Sequence, residues 1–328
     1  MYMKRFLSLT LLLCVWLALP LTAAAKRLVT PPALHAGDEV ILITPASHND
    51  SAYILGMKQR LEGWGLTVRI APHAFSGSKG HYAGTTEERL SDLQQALDDP
   101  TARAIFCTRG GYGAVHLLDK LNFKAFRKNP KWLIGYSDIT ALHNLLQAHG
   151  FASIHAPMGS HMTNEPADDY PLQALKEMLF DEKPTVYTVP ANSLNHLGRA
   201  KGILRGGNLS VFYGLRATPW DIPAKGTILY MEDVGERPHS IERMVCNLRL
   251  SGLLDRISGL IFGQFTEYKE DLELGKPLCP ALADLVRDYD YPICFGFPVG
   301  HVSQNYPLIN GAQVELIVDE THCTLRFE

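Results

Sequence analysis

None of the six cysteines in this 328-residue chain stands in a Cys-x-x-Cys pair, so there is no sign of a zinc knuckle or a dithiol redox motif. His-Glu-x-x-His is absent. So are Gly-x-Gly-x-x-Gly and the Gly-Lys-Ser/Thr of a phosphate loop. That sets aside the zincin, dinucleotide and nucleoside-triphosphate signatures. A basic excess is also missing: the formal net charge is −3 and no lysine/arginine cluster occurs. A general nucleic-acid binder would show both. Beyond the N-terminus no apolar run is long enough to span a bilayer. No internal repeat or low-complexity stretch stands out. What remains is ordinary for a globular protein, with 46% hydrophobic and 20% charged residues. The length suits two domains.

The N-terminus departs from that. Lys4 and Arg5 precede an apolar stretch that ends in Ala23-Ala24-Ala25. This is the pattern of a secretory signal (1–25) cleaved near Ala25-Lys26, which implies a periplasmic protein. An uncleaved N-terminal membrane anchor is the alternative. Cys14 follows Leu13 where a lipoprotein would need a small residue. Five cysteines remain after cleavage. Cys107 and Cys294 sit in apolar runs and read as buried small hydrophobes, and a disulfide among the others stays open.

Strand-like apolar runs at 40–44, 66–71, 104–107 and 132–134 alternate with helical spacing at 53–65, 85–97 and 139–149. Thr85 with Glu88 forms a capping-box pattern at the start of the second helix. Alternating strands and helices imply a parallel α/β sheet over 26–164. The pattern weakens over 165–199, read as an inter-domain connection with a helix at 171–180. A second, smaller and strand-rich α/β domain follows over 200–328, with strands at 227–231, 259–262, 293–295, 313–318 and 323–327.

Ligands of such sheets bind beyond the carboxyl ends of the strands, and four candidate features fall there. Ser137 sits at the turn from the strand 132–134 into a helix, which resembles a nucleophile elbow. The second glycine of that motif is Ile139 here, and a plain helix cap by Ser137-Asp138 is the bland alternative. Arg109-Gly110-Gly111-Tyr112-Gly113 follows a strand and could aim backbone N–H groups at an anion. Glu232-Asp233 closes an apolar run, with Glu236 close enough to compete as a functional acid. His301 stands in a loop stiffened by Gly296, Pro298 and Gly300. Serine, acid and histidine in that order is one of several known triad orders. His155 and His161 could contribute to a metal site, but their spacing matches no ligand motif.

Together these motifs resemble the LD-carboxypeptidase family of serine peptidases (S66 type), which includes muramoyl-tetrapeptide carboxypeptidases and microcin C self-immunity peptidases. The resemblance rests on AGTTEERLSDLQQALDDPTARAIFCTRGGYG, LIGYSDITALHNLL, GILRGGNLSVFYGLRATP, ILYMEDVGERPHSIERM and GFPVGHVSQNYPL. It covers nearly all of the chain after the signal. It implies a flavodoxin-like N-terminal domain, a smaller C-terminal α/β domain, a site in the cleft and a homodimer. Ser137 would be the nucleophile, Glu232 the triad acid and His301 the base. The oxyanion hole would be the N–H of Asp138 with that of Gly110 or Gly111. Apart from the resemblance, a cation near the cleft should hold the substrate carboxylate, for which Arg109 is the candidate, with Tyr112 as a second candidate for substrate binding.

The implied reaction is release of terminal D-alanine from murein tetrapeptides across an L,D bond, with no metal or organic cofactor. The partners are peptidoglycan stem peptides, without nucleic acid and without stable membrane insertion after signal cleavage. Departures from the family pattern at Ala156, Glu242 and the stretch 308–311 spare the triad and bear on substrate fit. Two other readings remain: a peptidase or amidase acting on peptidyl-nucleotides, for which Trp220 is the one tryptophan in the second half of the chain, and a non-catalytic periplasmic binding protein.

Overall fold

The structure, a computed structural model, describes residues 28–77, 81–181, 185–270 and 274–328. The expected signal and its cleavage point lie outside the described residues. In chain order the elements begin β1 (Glu39–Ile43), α1 (Ser51–Gly63), β2 (Thr67–Ile70), α2 (Thr86–Asp98), β3 (Ala104–Cys107), β4 (Trp132–Gly135), α3 (Thr140–Ala148) and β5 (Ser153–His155). Next come α4 (Gly159–Asn164), α5 (Tyr170–Phe180), β6 (Val186–Pro190), β7 (Gly198–Asn208), α6 (Leu209–Tyr213) and β8 (Thr227–Val234). The chain closes with α7 (Pro238–Leu250), β9 (Gly259–Thr266), α8 (Leu278–Val286), β10 (Ile293–Phe295), β11 (Leu308–Asn310), β12 (Gln313–Val318) and β13 (His322–Phe327).

Strands β2-β1-β3-β4-β5 form a parallel sheet, and β11 adds antiparallel to β5. The order 2-1-3-4-5 is flavodoxin-like, with its switch point between β1 and β3. The central strands β3 and β4 are buried on both faces, as apolar runs flanked by helices on either side should be. Alternation sends Ile105 and Leu133 into one core, with Leu142 and Leu146 of α3, and Phe106 and Trp132 into the other. α2 starts at the expected capping box, with Thr85 accepting from Glu88 N–H and the Glu88 side chain accepting from Thr85 N–H.

The second sheet runs β10-β9-β8-β7-β12-β13-β6, parallel from β7 to β10 and antiparallel beyond β7. The stretch 165–199 divides between the two sheets. α5 buries Leu172, Leu175 and Leu179 in the N-terminal core, whereas β6 is an edge strand of the second sheet. In the other direction, β11 crosses over from the C-terminal part of the chain to complete the first sheet. Trp220 packs against the N-terminal core beside Leu215 and Val211. All five cysteines after residue 25 are free thiols, with Cys107, Cys294 and Cys323 buried.

The segment Ala114–Lys120 after the glycine loop is a 3-10 helix. One local expectation changes. β8 continues to Val234, so Glu232 and Asp233 lie within the strand and not beyond it.

The sheets meet where α3 lies on the end of β7. Thr140 Oγ1 accepts from Asn208 N–H at 3.0 Å, and a Cβ on Gly207 would fall 2.4 Å from that oxygen. Gly206 has φ +144°, and a Cβ there would lie 1.8 Å from the Tyr230 carbonyl oxygen. Gly206→Ala should therefore lower the unfolding free energy by about 3 kcal/mol or more, through strain at a special backbone position. Chemical denaturation measures this, and an unchanged midpoint and slope would contradict the β7–β8 packing.

Candidate active site

Ser137 is one of the few non-glycine residues in the left-handed region, with φ +63°. The strand β4 ends at Gly135, Tyr136 is extended, and a 3-10 turn over Ser137–Ile139 leads into α3. This places the hydroxyl above the carboxyl end of β4 beside a helix N-terminus. A left-handed serine is strained by about 1–3 kcal/mol and persists only where the surroundings hold it. They do so here. His143, fully buried, donates from Nε2 to the Gly135 carbonyl at 2.8 Å and accepts at Nδ1 from Ser153 Oγ at 2.8 Å. Burial depresses its pKa to about 4, which keeps the ring neutral for both bonds. The N-cap positions of the 3-10 turn and of α3 are Tyr136 and Ile139, neither with a side-chain cap, while Ser137 Oγ meets His301 and Asp138 Oδ2 meets Ala114 N–H, so the bland cap reading fails.

His301 Nε2 stands 3.0 Å from Ser137 Oγ, and His301 Nδ1 stands 2.7 Å from Glu232 Oε2. Glu232 is completely buried. Its carboxylate can only accept, so Nδ1 carries the proton and Nε2 presents a lone pair to the serine. Burial alone would lower the His301 pKa. The hydrogen bond and charge of Glu232, with Asp233 and Glu267 further off, outweigh burial and raise it above the ordinary histidine value. The Tyr136 ring lies 4.9 Å from the imidazole. Its phenol is pushed up to about 12 by burial and then by Glu232. Glu236 does not take the position that Glu232 holds.

The glycine loop leans on the serine. A Cβ on Gly110 would be 2.8 Å from Ser137 Cβ and 3.1 Å from Asp138 N, so only glycine fits. Gly111, at φ +93°, packs on Ser47, whose Oγ accepts from Tyr112 N–H at 3.1 Å. Two buried charges fix this loop. Asp138 Oδ2 accepts from Ala114 N–H at 2.8 Å, and burial raises its carboxyl pKa to about 6. Arg89, 2% exposed, donates to the carbonyls of Pro45 and Gly113 at 3.0 and 2.8 Å, while its guanidinium lies 5.0 Å from the Tyr82 ring centroid. Sequence reading missed Arg89. The available signal was its place on the apolar stripe of α2, four residues before Leu93 and seven before Ala96.

Two cavities open on either side of Ser137, sharing Gly111 and Val234. One, about 450 Å³, is lined by Asn49, Arg109, Ser160 and His301 and, among the described residues, carries no carboxylate. Arg109 is exposed, donates to the His48 carbonyl at 3.0 Å, and has no acidic partner among the described residues. The other, about 410 Å³, is lined by Tyr112, Val211, Asn208 and the buried acids Asp138 and Asp233, with no lysine or arginine among the described residues. Tyr112 is 54% exposed and stacks edge-on with His116. Asp233 accepts from Asn208 Nδ2 and from the N–H groups of Ser210 and Val234. The histidines weighed as metal ligands are otherwise engaged: His161 bonds Asp169 at 3.0 Å and His155 bonds Asn305 at 3.0 Å. Among the described residues no group of three metal-binding side chains converges.

The profile of the LD-carboxypeptidase N-terminal domain matches residues 40–156, and that of the C-terminal domain matches 201–316. The chain belongs to the LD-carboxypeptidase family. Family membership makes it a serine-type carboxypeptidase, a hydrolase. A probable murein peptide carboxypeptidase of Bacillus subtilis is 35% identical over 87% of this chain and 91% of its own length. The murein tetrapeptide carboxypeptidase of Pseudomonas aeruginosa is 30% identical over 81% and 89%. The crystal structure of muramoyltetrapeptide carboxypeptidase from Oxalobacter formigenes has a TM-score of 0.80 at 27% identity, covering 88% of this chain and 98% of that one. A microcin C7 self-immunity protein in complex with aspartyl sulfamoyl adenosine has a TM-score of 0.80 at 20% identity, over 92% and 99%, a likeness of fold.

In this LD-carboxypeptidase Nε2 of His301 can accept a proton from Ser137 only while the ring is neutral. Because Glu232 raises the pKa, kcat/KM should climb with pH through a midpoint above the ordinary histidine value. Glu232→Gln removes the charge, so that midpoint should fall while kcat drops by about 100-fold or more. A pH–rate profile of both proteins tests this, and an unmoved midpoint would contradict the coupling.

Proposed function

We propose that this enzyme removes the terminal D-alanine from murein tetrapeptides through an acyl-serine intermediate. The observation that carries the reading is the line from Ser137 Oγ to His301 to buried Glu232, starting from a left-handed serine. Ser137 attacks the carbonyl of the third stem residue as its proton passes to His301 Nε2. Glu232 holds the ring by Nδ1–H and stabilises the cation. The N–H of Asp138 and that of Gly110 or Gly111 receive the oxyanion, where one donor contributes roughly 3–4 kcal/mol to lowering the barrier. His301 then gives its proton to the departing amine of D-alanine. Water, deprotonated by the same nitrogen, releases the peptide and restores the serine.

The cavities support an orientation. The departing D-alanine carries a carboxylate, which suits the side with Arg109 and no acid. The acyl portion, with an amine-bearing third residue, suits the side with Asp233 and Tyr112. The N-terminal pattern supports an exported enzyme, for which wall-derived peptides are the accessible substrate. Among the described residues no helix is long and apolar enough to cross a membrane.

Mass spectrometry of purified muropeptides before and after incubation tests the reading. Tetrapeptides should each lose one alanine, and Ser137→Ala should abolish that loss with an unchanged melting profile. Turnover by the variant at the parent rate would refute the nucleophile. Intact tetrapeptides alongside cleavage of a peptidyl-nucleotide would refute the substrate.

A further inference from the structure

Behind the triad, two buried side chains outside the proposed machinery join the sheets. Asn305, 2% exposed, accepts at Oδ1 from Gly300 N–H at 2.9 Å and from His155 Nε2 at 3.0 Å. Gly300 precedes His301, has φ +121°, and lies so close to the acid that a Cβ would fall 2.7 Å from Glu232 Oε2. His155 lies in β5. It is in register with Gly135 of β4, the strand that leads to Ser137, and with Leu308 of β11. The backbone beside the base and the strand that delivers the nucleophile are thus tied to one imidazole.

We infer that His155 and Asn305 form a positioning pair that sets His301 in register with Ser137 across the two sheets. The inference rests on the triad reading of Ser137, Glu232 and His301. Neither residue touches the serine, so their action is through the Gly300–His301 backbone. The direction of each bond follows from chemistry. Gly300 N–H must donate, so the atom it meets is the Asn305 oxygen, and His155 Nε2 must then carry a proton. Burial, with the neighbouring His143 and His301, depresses the His155 pKa to about 3 despite the Asn305 bond. The ring therefore donates as a neutral group. A cation there would oppose the charge that forms on His301 during acylation. Packing fixes its plane, with Tyr136 and Tyr230 ring centroids each 5.6 Å away. Among the described residues the Asn305 amide nitrogen is buried without a partner, so the side chain is held through its oxygen, where both donors converge.

The test is the rate at which a fluorophosphonate modifies Ser137, read beside kcat and KM for D-alanine release. Ser137→Ala, unlabelled, establishes that the probe reports this serine. In Asn305→Ala, labelling and kcat should fall together by about tenfold to 100-fold, with KM within about threefold, as expected when a reacting group is misplaced without loss of binding surface. Asn305→Asp, which keeps an accepting oxygen, should recover most of the lost rate. His155→Leu should slow labelling as Asn305→Ala does, and the double variant should be no slower than the worse single one. Labelling within about threefold of the parent in folded Asn305→Ala would overturn the inference, as would a loss confined to KM. Should Asn305→Ala fail to fold, the same criteria apply to His155→Leu. A protein that labels rapidly but releases no D-alanine would overturn the substrate reading and leave the positioning pair to be judged by labelling alone.

Discussion

The hydrogen bond from Ser137 Oγ to His301 Nε2 joins residues 164 apart, one in the turn after β4 and one in the loop after β10. At 3.0 Å it has the length a proton path needs, and a shift of one sheet by an ångström would break it. Much of the surrounding structure bears on that distance. β11 leaves the C-terminal half to pair with β5, Asn208 at the end of β7 bonds Thr140 of α3, and Gly207 brings backbone against that same side chain. Arg205 adds a bond to Gln147 at the other end of α3. The helix that follows Ser137 is therefore held at both ends by β7 of the second sheet.

Charge is buried around the serine at a cost, and each group offsets that cost with bonds to backbone. Arg89 meets two carbonyls from different loops, Asp138 the N–H of Ala114 just after the glycine loop, and Asp233 two N–H groups and an amide. Asp138 and Asp233 have carboxyl pKa values raised to about 6 by burial, the mark of acids kept for geometry more than for attraction. Glu232 differs: its visible partner is the imidazole, and its effect is to raise the proton affinity of His301.

The parallel sheet was legible because β1, β3 and β4 are short buried apolar runs between amphipathic helices, and the capping box at Thr85 marked a helix start. Ser137 was legible as a serine between an apolar strand and a helix, and His301 as a histidine in a glycine- and proline-stiffened loop. β7 was not. GRAKGILRGGN carries glycines and charges that argue against a strand, yet it is central, because its glycines admit close approach by Tyr230 and Thr140. Glu232 read as lying past a strand end, since a carboxylate buried mid-strand makes sense only once His301 is beside it. His155 and Asn305 are 150 residues apart, and no spacing rule pairs them. The spacing of His155 and His161 matched no ligand motif, and nothing in it showed that His155 donates to Asn305.

The central claim is that one serine, activated across two sheets, carries the chemistry. Peptide mapping of the fluorophosphonate-treated protein tests it most directly. The account predicts one phosphonyl group per chain, located on Ser137, with D-alanine release lost in proportion to labelling. Full labelling of Ser137 with activity retained, or inactivation by a label on another residue, would contradict it.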